Sequence, residues 1–353
     1  MTSGLYIALL AGWMALATTA LLGAGASPPL RRLLAVLFLG LCAGVGGVIA
    51  PDPPRAIMVL CPALALCIHV FRHDASGAVT PFVTSGNAAL ALAFGRCDLL
   101  WVFVGASLIL RLAVAHGIRG LDRQGQHLLR SVLGGLMMAQ GGLFVLQAAW
   151  GPLQDQAGAV LLVGGLLMAC GFLSRSGTGR TGWNVDALAV LPVLAQAAVS
   201  WPVLQPVLTF MGLTGLLWNC LPQPGRTSVT PDWTAWAVLA AGLPGAASSI
   251  PLAASMLALA CLLPDDSSPQ IEAERRGTML FWPPFLPGMA LVLVLVAEMG
   301  HVVWVAVLAG ISLWPMFARQ GSSVPVRRAE VPFLLLMGCV VLGMVVRQGM
   351  IQP

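Results

Sequence analysis

Apolar runs recur from one end of this chain to the other, and the charged residues collect in the short polar stretches between them. Many of the runs approach the roughly 20 apolar residues that cross a hydrocarbon core of about 30 Å as a helix. Read as helices, they fall near 4–24, 33–50, 57–71, 78–94, 98–117, 128–150, 158–174, 185–201, 203–220, 233–249, 251–263, 280–298, 302–318 and 332–350. The pattern predicts an all-α polytopic membrane protein of about fourteen transmembrane helices. A Pro-containing turn is all that separates 185–201 from 203–220. The longest polar loop, 264–278, is too short to fold alone, so residues 1–353 are expected to form a single membrane domain.

Two spans are broken from within. Pro283-Pro284-Phe285-Leu286-Pro287-Gly288 cannot continue a regular helix, because each proline removes a backbone donor and clashes with the preceding turn. The Gly-rich stretch 171–182 does the same less forcefully. Helices 7 and 12 are therefore expected to be discontinuous, which marks either a transport path or a packing kink. The region 157–220 holds either three crossings or two with one broken helix.

Composition sharpens this picture. Hydrophobic residues make up 58% of the 353 and charged ones only 9%, against about 25% charged in soluble domains. The net charge of +5 does not point to nucleic acid, because the charges sit in loops rather than on one face. With the N-terminus outside, fourteen arginines fall in inner loops and three (Arg55, Arg96, Arg347) in outer ones. That bias fits the positive-inside rule, favours three crossings in 157–220 and places both termini outside. The first run has no basic residue before it, so it is expected to be a retained span rather than a cleaved signal peptide. All eighteen basic residues are arginine. A lysine that gives up its proton inside a membrane is thus excluded, since arginine stays charged. The eight cysteines form no C-x-x-C pair or Cys/His cluster and read as small buried hydrophobes; no metal site is expected.

Several segments, in order, carry a family resemblance. Asp98-Leu99-Leu100-Trp101-Val102-Phe103-Val104-Gly105 resembles the "DLLxLFVG" entry to the fifth helix of the antiporter-like membrane subunits of respiratory complex I, Mrp antiporters and membrane-bound hydrogenases. Gln126 to Gly135 is similar to that family's next helix, which begins "EAxLKYFxLG". Trp183-x-x-Asp186 followed by Pro192 resembles "W-x-P-D-x-x-x-x-A-P". Pro284 and Gly288, with Trp304 sixteen residues after the glycine, resemble the start of helix twelve and the "WW" of helix thirteen.

The resemblance implies an antiporter-like fold in a bacterial cytoplasmic membrane. It implies N-terminal helices 1–3 over 1–77, a first helical repeat with part of the second over 78–220, the rest of the second over 221–331, and a C-terminal helix over 332–353. It also exposes what is missing. The family's helix-five glutamate falls on Ser107, its helix-seven lysine on Leu173 or Ser174, and its helix-twelve lysine on Val292. The Glu/Lys pair of the sixth helix becomes Gln126 and Arg130. The scaffold is kept and the titratable relay is not.

Candidate polar positions follow. Arg111 lies one turn after Ser107 on the same face. It either offers a fixed charge to a polar axis or snorkels to the inner surface. Glu298 and His301 sit three apart at an outer helix end, where they either exchange a proton or are merely interfacial. His69 and His116 lie near inner helix ends, but nothing else supports a haem. Asn87, Gln140, Gln147 and Gln196 are uncharged polar groups whose commoner use is interhelical hydrogen bonding. Asp98 is expected to cap its helix. No phosphate loop, nucleophile triad or cofactor motif is present, so no enzyme chemistry and no cofactor are expected.

Taken together, the resemblance points to a subunit of a complex I-like, Mrp-like or hydrogenase-like proton- or cation-translocating assembly. That subunit would be structural or carry a modified ion path, with other polytopic subunits and the lipid bilayer as partners. The alternative is a free-standing secondary transporter for a small solute.

Overall fold

The structure is a computed structural model. It describes residues 27–48, 53–72, 86–90, 93, 104–110, 113, 123–147, 151–169, 190–220, 233–244, 253, 332–333, 336 and 339. Helices α1 (Pro28–Val48), α2 (Pro53–Arg72), α3 (Arg123–Gln147), α4 (Pro152–Ala169), α5 (Leu191–Ser200), α6 (Leu204–Cys220) and α7 (Trp233–Ala241) carry most of them. The expected spans 4–24, 251–263, 280–298, 302–318 and 332–350 lie wholly or mostly outside the described residues.

The polytopic expectation is corrected here. Among the described residues no helix is long and apolar enough to cross a membrane. After Arg32, the apolar part of α1 is Leu33 to Val48, about 24 Å of helix against the ~30 Å required. In α2, Pro62 and His69 interrupt the apolar stretch between Arg55 and Arg72. The 25 residues of α3 open on Arg-Gln-Gly-Gln-His and keep Arg130, while α4 opens on Gln154-Asp155-Gln156. Helices α5, α6 and α7 have 10, 17 and 9 residues. The fourteen-span, multi-pass architecture is thus overturned. The secondary structure that is described remains helical.

Boundaries follow local chemistry. Pro152 sits in the first turn of α4, where a missing N–H costs nothing. Asp155 in that turn suits the positive end of the helix dipole. Before it, Gly151 adopts φ +81°, open to glycine and strained for other residues. At the join of α5 and α6, Trp201 is extended and its N–H donates to Ala197 O at 2.8 Å. Gln205 Nε2 then donates to Ala198 O at 3.2 Å, satisfying a carbonyl at the end of α5. The expected span 233–249 is shorter as a helix. It ends at Ala241, and Gly242 and Leu243 donate to Leu239 and Ala240 in a tightened last turn before Pro244.

Helices that follow one another in sequence pack together: α1 on α2, α3 on α4, and α6 on α7, with α5 lying against α3, α6 and α7. The α3–α4 seam is backbone against backbone. A Cβ on Gly141 would stand 2.6 Å from Gly158 O, and one on Gly165 would stand 2.5 Å from Gly134 O. On each helix the two glycines named at the seam, Gly134 and Gly141 or Gly158 and Gly165, are seven apart, so they repeat along one face. On α1, Leu34, Ala35, Phe38 and Cys42 are buried, and α2, which packs against it, buries Met58, Leu66 and Cys67. Cys67 Sγ donates to Ala35 O at 3.3 Å. Burial pushes both thiols well above their ordinary range, and at Cys42 the neighbouring Cys67 adds to the shift. These two cysteines are free and inert, as their apolar setting implies.

Candidate functional site

The described segments 86–90 and 104–110 meet at a buried polar pair. Ala88, Ala89, Leu90, Val104 and Leu108 are all buried, so the surroundings are apolar and water is excluded. Asn87 and Ser107 are 1% and 0% exposed. Asn87 Nδ2 donates to Ser107 Oγ at 2.6 Å. Burying an amide and a hydroxyl without partners costs about 1–3 kcal/mol each in proteins, so the bond offsets a cost that the apolar surroundings impose. The offset is incomplete, for Asn87 Oδ1 has no hydrogen-bond partner among the described residues.

Two local features place the pair. Gly86 runs so close to α1 that a Cβ there would stand 2.6 Å from Phe38 Cζ. Only glycine lets the 86–90 turn approach the ring without displacing it. On the other side the backbone at Val104 and Gly105 is wound as a π-turn that leads into the helix over 106–110. Such bulges insert a residue into the helix and re-aim the side chains that follow.

The pair is neutral. Neither a hydroxyl nor an amide takes up or releases a proton near neutral pH. It can orient a hydrogen bond, but it cannot store a charge.

The other expected site residues separate. Arg130 is exposed on α3, while Ser107 is sealed. Pro192 is buried in the first turn of α5, where it starts the helix, with no side-chain cap on Val190 before it. Gly105 and Ser107 share the one segment. Arg111, Asp98, Trp183, Asp186, Pro284, Gly288, Glu298, His301 and Trp304 lie outside the described residues, as does His116. His69 is buried at 4% exposure. Among the described residues no group of His, Cys, Asp and Glu is arranged to hold a metal. A small cleft beside α4, α5 and α6 is lined only by aliphatic side chains, Leu162, Leu166, Leu194 and Leu208 among them. It offers a ligand no polar handle.

The feature missed from sequence is the pairing itself. Asn87 and Ser107 each stand out as polar residues in apolar runs, yet twenty residues of chain separate them and nothing in the pattern joins them. The signal available was the cost of leaving either unbonded.

No protein-family model matches the chain, and neither a curated protein nor a solved structure does so.

Proposed function

We propose that this chain is a non-catalytic, structural subunit of a proton- or cation-translocating assembly of the complex I, Mrp or hydrogenase kind. The observation that carries the reading is the sealed Asn87–Ser107 pair. Ser107 stands where the resemblance puts the glutamate that would carry charge, and its hydroxyl is committed to a neutral amide in an apolar environment. A relay needs groups that change protonation in turn. A bonded serine interrupts that sequence at this position, and the chain contains no lysine.

Outward apolar side chains support the structural half of the reading. Leu153, Val160 and Leu167 on α4 are 78%, 71% and 41% exposed, and Phe210 on α6 is 70% exposed. Apolar surface of this kind on several helices fits a chain that is covered by neighbours.

Affinity purification of the full chain from its native host in mild detergent tests this. At least one other subunit of an ion-translocating assembly should co-purify, and the chain reconstituted alone in liposomes should carry little proton or sodium flux. A robust flux from the isolated chain, driven by a pH or sodium gradient, sinks the proposal. So does isolation as a stable monomer that a small solute stabilises.

A further inference from the structure

Helices α1 and α2 are joined at one end only, where the chain passes from Val48 to Pro53. The two run antiparallel, so at the far end the start of α1 lies beside the last turn of α2. No chain connection holds that end, and helix termini fray. Only side chains can keep it closed.

Three side chains from distant parts of the chain meet there. Phe71 is the next-to-last residue of α2. The Arg32 guanidinium, near the start of α1, lies over its ring at 5.8 Å from the centroid, within the reach of about 6 Å for a cation–π contact. On the same ring Phe333 makes the second contact, with centroids 5.0 Å apart and planes inclined at 37°, inside the range of about 4.5–7 Å for favourable aromatic pairs. Both rings are half-buried. Among the described residues near Phe333, Pro332, Leu336 and Cys339 are exposed and Phe333 alone turns inward. Pro332 fixes its own φ, which narrows the ways the next residue can be presented. Positions 71 and 333 are too far apart in the chain for local propensity to bring their rings together. Because the two contacts share the Phe71 ring, they are coupled: a shift of that ring disturbs both.

We infer that the stretch carrying Phe333 is a strap that holds the open end of the α1–α2 pair closed, with the Phe71 ring as its seat. With Phe333 docked, the last turn of α2 is held against both α1 and the strap. With Phe333 released, that turn keeps only its contacts to α1 and opens more often. Docking and closure are linked, so whatever favours one favours the other by the same factor. An aromatic pair shifts such an equilibrium by about two- to tenfold, enough to bias the end of a helix pair and too little to lock it. Nothing in this device depends on ion translocation.

Amide hydrogen exchange of the full chain, read by mass spectrometry at the last turn of α2 and at 332–339, tests it. Phe333→Ala should speed exchange at the end of α2 by about two- to tenfold. Phe71→Ala should do the same at 332–339, on the far side of the contact. Phe333→Tyr keeps the ring and should exchange as the parent does at both places. Arg32→Gln should speed the end of α2 by a smaller factor, since it leaves the aromatic pair in place. Exchange over α3 and α4 should not change in any of these variants. Parent-like exchange at the end of α2 in Phe333→Ala overturns the inference, and so does parent-like exchange at 332–339 in Phe71→Ala. It also fails if Phe333→Tyr exchanges as fast as Phe333→Ala, because the ring is then not what seats the strap. A rise that spreads equally over α3 and α4 overturns it as well, since Phe333 would then support the whole fold rather than close one helix pair.

Discussion

Glycine does opposite things in two helix pairs of this chain. Between α3 and α4 it lets backbones touch, so that Gly141 faces Gly158 O and Gly165 faces Gly134 O at distances no Cβ tolerates. On α1, no atom of the described residues lies within 4 Å of where a Cβ on Gly40 or Gly44 would stand, while the larger side chains Leu34 and Phe38 are buried. Both pairs are antiparallel neighbours in sequence. The difference shows that a glycine's role comes from what lies opposite, and composition alone does not reveal it. It also says where each pair gets its stability. The α3–α4 seam depends on close dispersion contact along two backbones, and the α1–α2 seam on burying large side chains.

The largest effect is expected from Gly141→Ala. Within one helix the change gains about 0.5–1 kcal/mol of propensity. The new Cβ, however, meets Gly158 O at 2.6 Å and Leu162 N at 2.8 Å. Both are backbone atoms and cannot swing away, so the two helices must part along the seam. Overpacking of this kind costs about 1–3 kcal/mol, and the thermal midpoint followed by circular dichroism should fall. Adding Gly158→Ala should cost less than its single effect, because the helices are already apart. An unchanged midpoint for Gly141→Ala would mean that the seam is not close-packed.

How much of this was legible beforehand depends on which force sets each feature. The Pro202 turn between α5 and α6 could be read, because proline and an extended Trp201 break a helix by sterics that act locally. The starts of α3 and α4 were placed too late, at 128 and 158 rather than Arg123 and Pro152. Arginine and glutamine are good helix formers, and proline is tolerated in a first turn. An apolar-run criterion discards all three. The end of α7 was placed too far on for the reverse reason: Leu243 extends the apolar run, but Gly242 and Pro244 stop the helix. The same criterion gave fourteen membrane crossings, since it measured apolar runs and not the helices that form. As for the site, Ser107 was singled out only through the resemblance. Its bond to Asn87 is a tertiary fact that no local pattern encodes.

The polar pair gives the next largest effect and extends the comparison to a third kind of contact. Ser107→Ala removes the acceptor of Asn87 Nδ2. Because Oδ1 has no partner among the described residues, the buried amide then keeps no hydrogen bond to any of them. The expected loss is about 1–3 kcal/mol. Asn87→Leu, which replaces the amide by an apolar side chain of similar size, should restore part of that loss in the Ser107→Ala background. A double-mutant cycle on thermal unfolding measures the coupling directly. Additive losses would show that the bond contributes nothing in the folded chain.

The smallest effect comes from the glycines that face nothing, and it has the opposite sign. At Gly40 and Gly44 a Cβ would have no atom of the described residues within 4 Å, and neither glycine has a positive φ that only glycine suits. The only consequences of an alanine there are on the helix itself and on the unfolded chain. Alanine restricts the unfolded backbone more than glycine does and favours the helix, so each change should stabilise by about 0.5–1 kcal/mol. The two positions are four residues apart on an outward face and share no partner, so their effects should add. A gain at Gly40 and Gly44 alongside a loss at Gly141, from the same substitution, would establish that backbone approach at α3–α4 accounts for the contrast. If Gly40→Ala instead lowers the midpoint, something packs closely on the outward face of α1.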